Sequence, residues 1–287
     1  MEGCIGIRFA AVIGAGQMGS GIAQTLAHSG IEVTLYDIDQ SAVGRGMQRI
    51  LESLQRLAAK GKLTDEQREQ LLTRITCSTQ LNDMQQAEII IEAAPERMDT
   101  KKDILAALDR ICSPQTILAT NTSSLSVTEL ASATERPSLV IGMHFMNPVP
   151  IMPLVEIIRG LETSANTYER VRQLTIAIHK TPVEVLDFPG FVSNRILMPM
   201  INEAIFTVYE GVASKEAVDS VMKLGMSHPM GPITLADFIG LDTCLAIMET
   251  LYTGFGDSKY RPCPLLRQYV KAGRLGRKTG HGFYSYQ

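Results

Sequence analysis

The stretch "RFAAVIGAGQMGSGIAQTLAHSG", residues 8–30, limits what this chain can fold into more than any other. An apolar, β-rich run meets glycines at Gly14, Gly16 and Gly19, then passes directly into helix-forming sequence that stops at Gly30. In a strand–turn–helix of this kind Gly14 permits the tight turn and Gly16 lets the backbone approach a pyrophosphate. Gly19 lets the helix lie close on the strand, and the positive helix end faces the phosphate. Glycines also punctuate ordinary βα turns, so the pattern alone is weak. Here Asp37 ends the next apolar run, "IEVTLYDID", where an acid can take the ribose 2′-hydroxyl of a dinucleotide. Gly14, Ala15, Gly16, Gln17, Met18, Gly19 and Asp37 are therefore the candidate dinucleotide contacts. A carboxylate at that place repels a 2′-phosphate and favours NAD over NADP. Arg45, further along, reads as a solvated helix charge.

The alternation continues. Short apolar runs recur at "RITCST", "AEIIIEAA", "TILATNTS", "LVIGMHF", "LVEIIR" and "TPVEVL". Helical stretches at roughly 40–60 and 64–73, "KKDILAALDRIC" and "VTELASA" separate several of them. Continuous apolar strands between helices imply a mostly parallel sheet covered on both faces, an α/β fold of Rossmann type. After "DFPG" the strand signals stop, and "FVSNRILMPMINEAIFTVYEGV", "SKEAVDSVMKLG", "TLADFIGLDTCLAIMETLYTGF" and "PLLRQYVKAG" each read as a helix. The expected organisation is an NAD-binding Rossmann-like domain with a helical hairpin insertion over 1–187, then an all-helical substrate and dimerisation domain over 188–287. Because "ILMPMINEAIF" is apolar over much of its circumference, a homodimer or higher homo-oligomer is expected.

Charge and cysteine usage exclude several classes. With 27 basic and 30 acidic side chains, the net charge of −3 points to neither nucleic acid nor an anionic membrane. The five cysteines (Cys4, Cys77, Cys112, Cys244, Cys263) are scattered and never spaced as CxxC. That fits reduced thiols in the cytoplasm better than a disulfide framework or a zinc site. No signal-peptide pattern is expected in "MEGCIGIRFAAVIGAG", no apolar run nears the ~18 residues of a membrane span, and no histidines have metal-ligand spacing.

The segment "IGMHFMNPVPIMPLVEII", residues 141–158, carries the candidate chemistry. If its two apolar halves form an antiparallel hairpin about the proline turn, His144 and Glu156 face each other. Their Cβ atoms then lie about 5 Å apart, within reach of an imidazole–carboxylate hydrogen bond. Such a carboxylate fixes the tautomer and stabilises the imidazolium; the plain alternative is a satisfied pair at a strand end. In "ATNTSSLSV" the hydroxyls and Asn121 fall at a strand's carboxyl end, the edge where open α/β sheets bind ligands. Serines there also cap helices. Asn194 is expected about one turn into the first helix of the second domain, facing the interdomain crevice, although a lone helical asparagine is commonly a solvated or capping residue.

The blocks "IGAGQMGSGIAQ", "IEAAPERMDTKK", "ATNTSSLS", "IGMHFMNPVP", "LVEIIRG", "PGFVSNRILMPMINEA", "HPMGPITLADFIGLD" and "GRKTGHGFYSY" occur in order over essentially the whole chain. In them the chain resembles the L-3-hydroxyacyl-CoA dehydrogenases, most closely the bacterial 3-hydroxybutyryl-CoA subgroup. The resemblance implies that His144 is the catalytic base and Glu156 its partner, with Ser123 and Asn194 binding the substrate oxygens. It implies that Asn147 lies near nicotinamide and substrate, and that Glu96, Lys101, Ser123 and Lys278 contact the cofactor. It makes Ser53 and Lys60 a coenzyme A contact pair and an acyl-CoA thioester the substrate. Seven residues apart on a helix, Ser53 and Lys60 face one way and can offer a hydroxyl and an ammonium to a phosphate-bearing ligand. Two departures stand out: Met146 where the family usually carries an aromatic, and Pro153 where lysine is common. A related dehydrogenase of a free 3-hydroxy acid, such as a sugar acid, would keep the glycine loop and the His–Glu pair without needing the Ser53/Lys60 face.

Overall fold

The computed structural model describes residues 6–286, so Cys4 and the first part of the N-terminal segment lie outside the described residues. The chain divides into two compact units, Met1–Asp187 and Phe188–Gln287.

In the first unit the elements run β1 (Phe9–Ile13), α1 (Gln17–His28), β2 (Glu32–Tyr36), α2 (Gln40–Ala59), α3 (Asp65–Thr73), β3 (Ile75–Ser78) and β4 (Ile89–Glu92). They continue with α4 (Met98–Ile111), β5 (Ile117–Thr120), α5 (Val127–Ala131), β6 (Val140–Phe145), β7 (Leu154–Arg159), α6 (Ala165–Ala177) and β8 (Thr181–Leu186). The strands form one eight-stranded sheet in the order β3-β2-β1-β4-β5-β6-β7-β8. Pairing is parallel from β3 to β6, antiparallel between β6 and β7, and parallel again between β7 and β8. The central strands explain the continuous apolar runs: every residue of β4 and β5 is buried, because helices cover both faces. Each such isoleucine contributes about 1.5–3 kcal/mol through removal from water. Pro182 is tolerated in β8 because that strand is the sheet edge, where a missing donor costs little.

Side-chain chemistry sets the helix ends of the inserted hairpin. Asp39 caps α2 by accepting from the Ser41 N–H, and Thr64 with Gln67 forms a reciprocal capping box on α3. Helix α2 turns Val43, Gly46, Ile50 and Leu54 inward at spacings of three and four, which leaves a polar outer face.

The second unit is helical: α7 (Ser193–Tyr209), α8 (Lys215–Gly225), α9 (Pro232–Ile239), α10 (Leu241–Phe255) and α11 (Pro264–Lys271). The stretch read above as one helix, "TLADFIGLDTCLAIMETLYTGF", divides into α9 and α10. Gly240 lies between them at φ 105°, a conformation that interrupts the helix and that other residues rarely adopt. Much of the apolar girth of α7 is used inside this unit, where Met198, Ile201 and Ile205 are buried with Ile233, Leu241 and Met248. Two buried aspartates tie the last segment down. Asp237 accepts from the N–H groups of Phe283 and Tyr284 and the hydroxyl of Tyr286, while Asp219 accepts from the first turn of α9 and from the Tyr284 hydroxyl.

Among the described residues no helix is long and apolar enough to cross a membrane, and Cys77, Cys112, Cys244 and Cys263 are free thiols. Burial pushes the Cys112 thiol up to about 11 and Cys244 up to about 12, so neither is a reactive thiolate.

Candidate active site

Strands β6 and β7 pair in the register His144 opposite Glu156. The alternation of side chains along a strand then puts both on one face, and His144 Nδ1 lies 2.8 Å from Glu156 Oε2. Both are buried, Glu156 only 2% exposed. The turn that sets this register is closed by the N–H groups of Ile151 and Met152, which both donate to the Pro148 carbonyl. At the strand end the Asn121 side-chain carbonyl accepts from the Phe145 N–H at 2.9 Å, joining the end of β5 to the end of β6. With a carboxylate on Nδ1, the ring is held in one orientation.

The glycine loop between β1 and α1 has the form its spacing predicts. Gly14 sits at φ 98°, and a Cβ there would lie 2.6 Å from the Ala93 carbonyl oxygen. A Cβ at Gly19 would fall 1.7 Å from the Gly14 carbonyl oxygen, so only glycine lets α1 seat on the loop. Nothing lies within 4 Å of a Cβ built at Gly16, which opens that backbone to close approach. No side chain caps α1 and no acid occupies its first turn, so its N-terminal amides are available to an anion. Ala15 and Gly19 are buried, Gly16 and Gln17 exposed, and Met18 half-buried against the core. A dinucleotide pyrophosphate fits these features.

Asp37 follows β2 and accepts from the Ala15 N–H through Oδ2 at 2.8 Å. One carboxylate oxygen thus braces the loop while the group stands at the end of the strand. Arg45 donates to the Ser41 hydroxyl and lies 3.8 Å from Asp39, engaged along the surface of its own helix. Across the site Gln17 Nε2 donates to Asn147 Oδ1 at 2.9 Å, linking the glycine loop to the hairpin turn.

A second polar centre lies at the carboxyl ends of β4 and β5. Glu96 Oε1 accepts from the Thr122 hydroxyl at 2.6 Å, from the Ser123 N–H at 2.8 Å and hydroxyl at 3.2 Å, and from the Ser124 N–H at 3.1 Å. Burial opposes ionisation of Glu96, but the neighbouring Lys101 charge and the Thr122 and Ser123 donors outweigh it and hold the carboxyl below its ordinary range.

Lys101, expected as a cofactor contact, is turned inward instead. It is 1% exposed, and its ammonium donates to both Glu92 oxygens at 2.8 and 2.9 Å and to the Ala94 carbonyl at 3.2 Å, with Glu96 3.4 Å away. An ammonium saturated in this way braces Glu96 and has no donor directed outward. Its partner Glu92, fully buried and also bonded to the Ala94 N–H and the Thr120 hydroxyl, went unrecognised in the sequence. The signal for it was one charge closing the otherwise apolar strand "IIIE".

The remaining candidates lie on other elements. Ser53 is half-buried on α2, and Lys60 is the exposed residue that ends it. Asn194 and Lys278 belong to the second unit. Asn194 lies in the first turn of α7 and is buried with its N–H on the Gly190 carbonyl. Lys278 lies on a short helical turn, and its ammonium donates to Asp242 Oδ2 at 2.6 Å.

Residues 9–188 match the model of the 3-hydroxyacyl-CoA dehydrogenase NAD binding domain, and residues 190–286 match that family's C-terminal domain. A probable 3-hydroxybutyryl-CoA dehydrogenase of Bacillus subtilis is 61% identical over 276 residues, 96% of each chain. A 3-hydroxybutyryl-CoA dehydrogenase of Clostridioides difficile is 52% identical over 276 residues, 96% of this chain and 98% of that one. The crystal structure of the (S)-3-hydroxybutyryl-CoA dehydrogenase of Ralstonia eutropha superposes with a TM-score of 0.95 at 52% identity, covering 98% of this chain and 99% of that one. With both units matched and relatives alike over nearly their full length, the chain belongs to the 3-hydroxyacyl-CoA dehydrogenase family and is an oxidoreductase with an NAD-type cofactor domain.

Proposed function

We propose that the protein interconverts short-chain (S)-3-hydroxyacyl-CoA and 3-ketoacyl-CoA, with 3-hydroxybutyryl-CoA and acetoacetyl-CoA as the pair. The observation that carries this reading is the His144–Glu156 pair, buried and bonded at 2.8 Å beside a dinucleotide-type loop. A nicotinamide held by the glycine loop would supply or accept the hydride at substrate carbon 3. In the oxidative direction the 3-hydroxyl proton passes to His144 Nε2 as the hydride leaves; in the reductive direction the imidazolium returns it to the forming alkoxide. Glu156 stabilises the charged ring in both. Ser123 and Asn194 orient the reacting oxygen and the thioester carbonyl, and Asn147 borders the reacting carbon. Glu96 fixes the Ser123 loop, and Lys101 fixes Glu96. Lys278 is the cofactor contact of the second unit. Ser53 and Lys60 take the phosphate-bearing end of coenzyme A.

NAD rather than NADP is favoured by Asp37, a carboxylate just after β2 that would repel a 2′-phosphate, and by Arg45, which is engaged by Ser41 and Asp39. The protein acts as a cytoplasmic homodimer. The test is NADH consumption with acetoacetyl-CoA beside free acetoacetate. Turnover confined to the thioester supports the assignment. Equal or faster turnover of the free acid moves it to the sugar-acid relatives.

A further inference from the structure

Lys180 stands between α6 and β8, and its side chain points into the molecule, leaving the residue 9% exposed. Its ammonium donates to the carbonyls of Val149 at 2.7 Å and Met152 at 2.8 Å. Both acceptors are neutral, and burial lowers the pKa of the ammonium. A buried cation held by carbonyls alone is an expensive way to fasten a turn, which directs attention to what that turn does.

The turn, residues 147–152, is fastened at more than one point. It also presses on α1: a Cβ built at Gly21 would lie 2.9 Å from Val149 Cβ, so the Val149 side chain lies directly on the α1 backbone where only glycine leaves room. At its start Asn147 Oδ1 accepts from Gln17 at the mouth of the glycine loop. Its two ends run into the strands that carry His144 and Glu156. Thus one short segment spans the dinucleotide loop and the proton-transfer pair, and Lys180 holds it through two of its carbonyls.

We propose that Lys180 is a positioning residue: it holds the 147–152 turn against α1 so that Asn147 meets Gln17, which sets the spacing between the glycine loop and the His144–Glu156 pair. This rests on the functional reading above. The readout is cofactor affinity rather than turnover, so activity on a free acid would overturn that reading and leave this assignment standing.

The experiment titrates NADH into the wild type, Lys180→Met, Gln17→Ala and their double variant, with Lys180→Arg and Gly21→Ala alongside. Lys180→Met and Gln17→Ala should each weaken NADH binding about five- to tenfold, and the double variant should be no weaker than the worse single one, because both break the same link. Lys180→Arg should stay within about twofold of wild type, since the side chain borders a cavity of about 290 Å³ and a guanidinium keeps the donors. Gly21→Ala keeps Lys180 but pushes Val149 off α1, and it should weaken NADH binding like Lys180→Met. It decides the matter if Lys180→Met does not fold. Unchanged NADH affinity in Gly21→Ala, or effects of Lys180→Met and Gln17→Ala that multiply, would reduce Lys180 to a purely structural residue and overturn the proposal.

Discussion

At the scale of single residues, charge placement decides most of the site. The Glu92–Lys101 pair is wholly buried, and each partner's bonds are met. Removing one partner leaves the other as an uncompensated interior charge, so Lys101→Met should lower unfolding free energy by about 3–5 kcal/mol, read from urea midpoints. Glu96 behaves differently. Its folded pKa lies below the ordinary 4.5, so its ionised form stabilises the fold. That contribution is complete above the ordinary value and is lost as pH falls through the lowered one. Wild-type stability should therefore drop more steeply on acidification below about pH 4.5 than that of Glu96→Gln, which never had the contribution. The facing of His144 and Glu156 was legible in the sequence because strand periodicity and a proline turn leave one register. The inward turn of Lys101 was not, because it depends on Glu92, nine positions earlier and on a different element.

At the scale of elements, the β1–α1 junction is governed by close approach. Its glycines could be assigned from spacing alone, since each has a distinct steric duty. What spacing did not reveal is that Asp37 also braces the loop through the Ala15 N–H. Asp37→Ala should therefore weaken NADH binding and also reduce discrimination against NADPH, with the ratio of the two dissociation constants falling by about tenfold or more. Unaltered preference would remove Asp37 from cofactor selection. The separation of α9 from α10 escaped the sequence reading for a related reason. The apolar period continues through Gly240, and only its positive φ marks the break.

At the scale of the whole molecule, two units were legible from the point where strand signals end, because a sheet and a helical bundle bury apolar residues with different periods. The surface of the second unit was less legible. Its first helix is apolar chiefly for its own core, while Ile196, Val221 and Leu224 remain 66%, 60% and 85% exposed. Val221 also borders an apolar groove of about 390 Å³ with Met200, Ala204, Val218 and Met222. A homodimer that covers this surface should sediment as twice the 31.4 kDa chain, and Leu224→Asp should shift it toward the monomer. A wild-type protein that sediments as a monomer would contradict that expectation.

On the proposed mechanism the β6–β7 hairpin exists to hold a base on a carboxylate. The most direct test compares Glu156→Gln with wild type in acetoacetyl-CoA reduction, with NADH affinity measured in parallel. Glutamine keeps the shape and removes the charge that supports the imidazolium. We expect kcat to fall by at least about a hundredfold while the NADH dissociation constant stays within about twofold. Full turnover by the Glu156→Gln protein would mean that His144 and Glu156 are a structural pair, and the proton would have to travel by another route.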